Sequence, residues 1–319
     1  MPLTTAATDL LGTSTPLVQA PMDAVAGGDL AAAVSRAGGL GMIGGGYGDR
    51  DWLTDQFHRA AGTRVGCGFI TWSLRHDPAL LDLALEHHPA AVMLGFDDPT
   101  DFARPVREAG SLLLCQVHTR QQAERALDAG ADALIAQGCE AGGHGYGSRT
   151  TLTLVPELAD LLTRRASTAV LLAAGGIADG RGLAAALVLG AHGALLGSRF
   201  YTTAEALSTP EARQHVVHAA GDDTVRTRTY DLVRDRHWPD GHTIAVLGNE
   251  FVDRWHGNET DLVAHLDQAR AHYHQALADR DYRTANVTIG QAAGLISTVT
   301  PAADVVTEIT DQARALLGR

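Results

Sequence analysis

Leu112-Leu113-Leu114-Cys115-Gln116-Val117, then the polar segment 118–132, then Ala133-Leu134-Ile135-Ala136: this stretch carries the period of the chain. The first run is short and mostly apolar, as expected of a strand buried on both faces. Residues 121–129 (QQAERALDA) place Ala123, Ala126 and Leu127 at helical spacing, and Gly130 closes the helix. The run at 133–136 is apolar again. The unit is strand, helix, strand, which implies a right-handed crossover between parallel strands.

The same alternation extends in both directions. Upstream, strands are expected at 16–20, 40–43, 65–70 and 91–94, with helices at 29–37, 51–61, 79–87 and 102–109. Downstream, a helix at 156–165 carries Pro156 in its first turn, where a missing N–H costs nothing. A strand at 170–174, a helix at 182–189 and a strand at 194–196 follow. Eight such units in roughly 200 residues fit an α/β fold of the (β/α)8 TIM barrel type. A doubly wound open sheet is the competing fold and usually has fewer strands. After Tyr201 the texture turns polar, rich in His and Trp, with no strand signals. The expected organisation is a barrel at 1–202, a small inserted helical substrate subdomain at 203–284, and a segment at 285–319 that packs back on the barrel.

Composition narrows the chemistry. The 319 residues are 45% apolar and 19% charged, with net charge −12, which excludes a disordered chain and disfavours a nucleic-acid partner. All 25 basic residues are Arg. The absence of lysine excludes a Walker phosphate lysine and any lysine Schiff base. A bound phosphate must therefore be held by main-chain N–H groups, hydroxyls or Arg. Cys67, Cys115 and Cys139 form no C-x-x-C, as expected of a reducing compartment, and Cys67 and Cys115 read as small core residues. No signal peptide or membrane span is expected, and the default location is cytoplasmic. The 15 histidines show no H-E-x-x-H spacing, so no metal site is expected.

Three glycine-bearing stretches stand out. Gly39-Leu40-Gly41-Met42-Ile43-Gly44 matches G-x-G-x-x-G but contains a strand instead of opening a helix, so close backbone packing is the better reading. Ala174-Gly175-Gly176-Ile177 and Leu195-Leu196-Gly197-Ser198 follow the last two strands, where barrels often bind phosphate through main-chain N–H groups. Gln137-Gly138-Cys139-Glu140-Ala141-Gly142-Gly143-His144-Gly145 follows the sixth strand on the face where barrel chemistry sits. His144, flanked by glycines, is expected to be uncrowded, titratable near neutrality and suited to act as a general base on a carbon acid. Glu140 either orients this loop or contacts a ring nitrogen. Tyr230, Trp238, Phe251 and Trp255 either wall a pocket or form a small core.

With these pieces, the chain resembles the nitronate monooxygenase family. The resemblance runs through Gln19 to Met22, Ser35 to Gly41, Ala129 to Asp132, Ala136 to Gly145, Ala174 to Arg181, Leu189 to Ala191 and Gly197 to Phe200. It continues through 249–257 (NEFVDRWHG) and 290–294 (GQAAG). It implies an FMN-dependent barrel that oxidises alkyl nitronates or nitroalkanes with O2 to a carbonyl compound and nitrite. The implied partners are a small nitro or carbon-acid substrate and O2, with neither nucleic acid nor membrane, and a homodimer is compatible.

The family pattern implies His144 as the active-site histidine. It implies Ala20, Pro21, Met22, Gln116, Gln137, Gly142 and Gly143 at the flavin. Gly175, Gly176, Leu196, Gly197 and Ser198 would hold its phosphate, and Gln291 is a further contact. An asparagine typical of the third strand end is replaced by the run Gly66 to Trp72, which points Trp72 toward the substrate pocket. The alternatives are an FMN-dependent enoyl-acyl-carrier-protein reductase using a nicotinamide donor and a non-catalytic flavin-binding protein.

Overall fold

A computed structural model describes residues 3–318. Residues 1, 2 and 319, at the outer ends of the first and last expected segments, lie outside the described residues. The strands are β1 (Leu17–Gln19), β2 (Met42–Gly44), β3 (Gly66–Ile70), β4 (Ala91–Gly95), β5 (Leu112–Val117), β6 (Ala133–Gln137), β7 (Gly143–Tyr146), β8 (Val170–Ala174), β9 (Gly193–Leu196), β10 (Thr224–Thr227) and β11 (His242–Leu247). Eight of them form one parallel sheet in the order β1-β9-β8-β6-β5-β4-β3-β2. Its two ends meet, because Val18 bridges Leu40 in parallel. There the Gln19 N–H donates to the Leu40 carbonyl at 2.9 Å and the Leu40 N–H to the Leu17 carbonyl at 3.0 Å. The Gln19 side chain reinforces the seam, donating to the Met42 carbonyl at 3.1 Å and accepting the Met42 N–H at 3.0 Å. The sheet thus closes into the (β/α)8 barrel.

Strand chemistry explains the layers. In β5, Leu113, Cys115 and Val117 face the helices, whereas Leu114 packs inside the barrel with Met93, Ile135 and Leu172. Both faces are apolar, as a parallel strand covered by helices requires. Cys67 and Cys115 lie in the outer layer, and burial raises both thiols, Cys115 to about 12. Neither is a nucleophile near neutral pH.

The Gly39–Gly44 run serves backbone contact. A Cβ on Gly41 would stand 1.9 Å from the Ala31 carbonyl oxygen, on the helix Gly28–Arg36. One on Gly44 would stand 2.3 Å from the Asp23 carbonyl oxygen. Backbone cannot yield as a flexible side chain can. Gly41→Ala is therefore expected to cost about 2–3 kcal/mol, read as a lowered urea midpoint with an unchanged slope; an unchanged midpoint would refute the packing account.

Two expectations are corrected. The helix placed at 156–165 spans Thr151–Arg164, so Pro156 lies inside it and not in its first turn. The helix starts early because the Glu140 carboxylate, from outside it, accepts the Thr151 N–H at 2.9 and 3.0 Å. The segment after Tyr201 is also not free of strands. β10 and β11 pair antiparallel, and β11 pairs with β7, which belongs to the His144 stretch. Val225, Ile244 and Val246 face a small core with Tyr230, Phe251, Trp255 and Tyr273. Polar residues between them hid the alternation. The final helix, Ala302–Leu317, lies against the helix Gly180–Val188, where Gln312 Oε1 accepts the Gly180 N–H at 3.1 Å.

Candidate active site

The parallel strands deliver their C-terminal ends to one mouth, and the three-stranded sheet stands over it. β6 ends at Gln137, whose Nε2 donates to the His144 carbonyl at 2.8 Å. His144 lies on β7 opposite Ile244. It is therefore a strand residue fixed on both sides. It is also not uncrowded, as the sequence suggested. It is 8% exposed, and its ring stacks on Trp238 with centroids 3.5 Å apart and planes within 8°.

His144 Nε2 lies 2.9 Å from Asp231 Oδ1. A carboxylate accepts, so Nε2 carries the proton and Nδ1 presents its lone pair, an assignment made from this network. Burial lowers the imidazole pKa from 6.5, Asp231 opposes that shift, and Arg234 adds to it. The residue expected to titrate near neutrality is held in its neutral, basic form instead. Asp231 comes from the short helix Thr229–Val233 and is 4% exposed, with Oδ2 unpaired. This pairing joins residues far apart in the chain, so no local spacing announced it.

Glu140 orients the loop and caps the helix at Thr151, including the Thr151 hydroxyl at 3.1 Å, so it does not contact the imidazole. Gly142 lies back to back with Gly290, since a Cβ on it would fall 2.6 Å from the Gly290 nitrogen. Gly143 has φ +72. The loop is clamped by Arg226, which no motif singled out. Its guanidinium donates to the carbonyls of Cys139 at 2.9 Å, Ala141 at 2.8 Å and Thr243 at 3.0 Å. Hydrogen bonds from a charged group are worth about 1.5–3 kcal/mol each. Arg226→Met should therefore lower the melting temperature by more than 5 °C, measured by calorimetry. A wild-type melting temperature would show that the clamp contributes nothing.

The two later glycine turns are neighbours. β8 and β9 pair through Ala174 and Leu195. Gly175 and Gly176 take φ +100 and +74, a region that favours glycine. Gly197 faces the Ala20 Cβ and Met22 Sδ, each 3.7 Å from where a Cβ would be. Leu196 accepts the Ala20 N–H at 2.9 Å, which ties the segment Ala20-Pro21-Met22 to the same turn. Pro21 packs on Gly68, where a Cβ would fall 2.2 Å from the ring. Ser198 Oγ accepts the Gly290 N–H at 3.2 Å. Gln116 is 8% exposed, and its side-chain Nε2 is unpaired. The Gln291 side chain is exposed, while its N–H donates to the Glu140 carbonyl at 3.0 Å.

Aromatic residues fill the mouth. Trp238 bonds through Nε1 to Tyr47 Oη at 3.0 Å, lies 5.4 Å from Trp72 and 5.0 Å from Phe96. Of the four aromatic residues singled out in the later segment, Tyr230, Phe251 and Trp255 form the small core, and only Trp238 reaches the site. Trp72 joins the same assembly. Among the described residues, no group of three or more His, Cys, Asp or Glu could hold a metal, and no helix is long and apolar enough to cross a membrane. A cleft of about 320 Å³ lined by Leu10, Arg64 and Leu112 sits by the N-terminal end of β5, away from these groups.

Comparison with known proteins agrees with this architecture. A family model described as nitronate monooxygenase matches residues 4–64 and 70–312. The nitronate monooxygenase npaC of Metarhizium robertsii is 36% identical, over 96% of this chain and 93% of its own. The structure of FabK from Thermotoga maritima matches with a TM-score of 0.86 at 31% identity, covering 99% of this chain and 98% of that one. A nitroalkane oxidase from Streptomyces ansochromogenes matches with a TM-score of 0.79 at 27% identity, covering 98% of this chain and 100% of that one.

Proposed function

The chain belongs to the nitronate monooxygenase family, and from that premise we propose that it oxidises alkyl nitronates and nitroalkanes with FMN and O2, releasing a carbonyl compound and nitrite. The observation that carries this reading is the buried His144–Asp231 pair at the barrel mouth, with Nε2 committed to the carboxylate at 2.9 Å.

The residues present suit FMN. With no lysine in the chain, a phosphate has to be met by main-chain N–H groups, hydroxyls or Arg. The adjacent turns at Gly175-Gly176 and Leu196-Gly197-Ser198 offer the first two, and Ser198, which accepts from Gly290, keeps its own proton for a phosphate oxygen. Ala20 and Met22 line the same turn, and Pro21 between them packs on Gly68. The unpaired Nε2 of buried Gln116 is a donor in search of an acceptor, which a flavin ring would supply. Gln137 and Gly142 set the height of β7 over that floor, and Gly143 gives the chain its turn into the strand. Gln291 joins this arrangement through its main-chain N–H. When bound, FMN would supply the electron transfer.

The protein's own residues handle position and the proton. Neutral His144 takes the α-proton of a nitroalkane at Nδ1, and Asp231 stabilises the imidazolium that results. A substrate that arrives as the nitronate needs no proton removed, and His144 then only orients it. Trp238, Trp72 and Phe96 exclude water around the carbon acid.

The test is nitrite release and O2 uptake with the FMN-loaded protein and propyl nitronates. Nitrite in proportion to substrate consumed is expected. NADPH oxidation coupled to an enoyl thioester, without nitrite release from nitronates, would replace this reading by the reductase.

A further inference from the structure

Beside the His144–Asp231 pair stand two more buried imidazoles with unused hydrogen-bonding capacity. His118, just beyond β5, is 3% exposed and has neither ring nitrogen bonded; His242, at the start of β11, is 6% exposed and has Nε2 unbonded. Each buried polar atom left without a partner costs about 1–3 kcal/mol. Three together call for a physical explanation. The two rings lie 6.3 Å apart and nearly perpendicular, at 89°. Both lie against Phe96, at 5.9 and 6.1 Å, and Phe96 lies 6.5 Å from His144. The pair is one aromatic ring away from the base.

The hydrogen-bonding roles can be assigned. His242 Nδ1 lies 3.2 Å from the Pro239 carbonyl, which can only accept. Nδ1 therefore carries the proton, and Nε2 presents a lone pair. Burial holds His118 neutral, with its pKa lowered to about 3, so its ring offers one N–H and one lone pair. Gln122 Oε1 accepts the His118 main-chain N–H at 2.7 Å, and neither ring nitrogen makes a hydrogen bond to it or to any other group. Arg226 acts on His118, but its guanidinium already donates to three main-chain carbonyls, and Asp97 and Asp231 are in range of His242, so two neutral imidazoles here are poorly suited to a carboxylate or phosphate. They suit a group that donates and accepts at a single atom.

We infer that His118 and His242 form a specificity subsite for an uncharged hydroxyl carried by the substrate a few bonds from its nitro carbon. The hydroxyl donates to His242 Nε2 and accepts the His118 N–H. Trp238 covers the subsite and the base alike, lying 5.6 Å from His242 and 3.5 Å from His144. The inference rests on the nitronate reading for the nitro group and on the unpaired nitrogens for the hydroxyl.

The test compares 3-nitropropan-1-ol with its isostere 1-nitrobutane, using the FMN-loaded protein. Dissociation constants come from calorimetry and kcat/KM from nitrite release. The alcohol is expected to bind at least about tenfold more tightly, since a site built for a hydroxyl penalises the analogue that lacks it. His118→Phe and His242→Phe are each expected to bring the ratio close to one. Equal or undetectable binding of the two compounds to the unaltered protein overturns the subsite, whatever the variants do. So does a preference that survives both substitutions. A binding preference without nitrite release from either compound supports the subsite and sinks the nitronate reading instead.

Discussion

Replacing His144 by alanine is expected to cut turnover of neutral nitroalkanes by about 10²–10⁴-fold, the usual worth of a positioned general base, while FMN stays bound. The two effects separate because the residues suited to the phosphate stand in the turns after β8 and β9, whereas His144 stands on β7. Preformed nitronates need no proton removed, so they should lose much less. Stopped nitroalkane turnover, retained nitronate turnover and an unchanged flavin spectrum together identify a base. Equal losses on both substrates would make His144 a wall of the pocket.

Asp231→Asn should lower nitroalkane kcat by a similar order, roughly 10²–10⁴-fold, as when a carboxylate that sets a catalytic imidazole's tautomer is neutralised. The amide can donate where the carboxylate only accepted, and it turns the proton toward the wrong nitrogen. The pH profile gives a second readout. Burial lowers the His144 pKa from 6.5, and Asp231 acts in the raising direction. The neutral base therefore persists below pH 6.5, and the acid limb of kcat/KM lies below that value. Removing the carboxylate removes a raising influence, so the limb moves further down while the plateau falls. An acid limb that moves up would contradict the pairing. The sign for stability is the same. An unfolded imidazole binds a proton below about 6.5 that the folded one resists, so the native state loses stability as pH falls through that value. His118 and His242, also lowered by burial, add to this loss.

Much of the barrel was legible because its signal is local. Short apolar runs such as 112–117 alternate with helical spacing such as 121–129, and several boundaries carry a glycine or a cap, for example Thr119 accepting the Gln122 N–H at 3.2 Å. The two glycine turns after β8 and β9 were legible for the same reason, since each stands directly behind a short apolar run. Pro156 misled because its helix is started by Glu140 from a separate loop. β10 and β11 were missed because a strand paired mainly through its backbone can carry polar residues such as Arg226, Thr227 and Thr243, whose pattern means nothing until the partner strand is known.

The sequence by itself determined the strand–helix alternation of a parallel α/β sheet, the absence of a lysine for phosphate, and the glycine-flanked His144 after the sixth strand. These follow from composition and from periods that repeat within a few residues. Only the tertiary structure decided that the sheet closes on itself, through the Val18–Leu40 bridge, and the state of that histidine. Asp231 and Trp238, nearly a hundred positions downstream, meet it because β11 pairs with β7. Proton affinity depends on what surrounds a ring in space, and long-range strand pairing sets those surroundings.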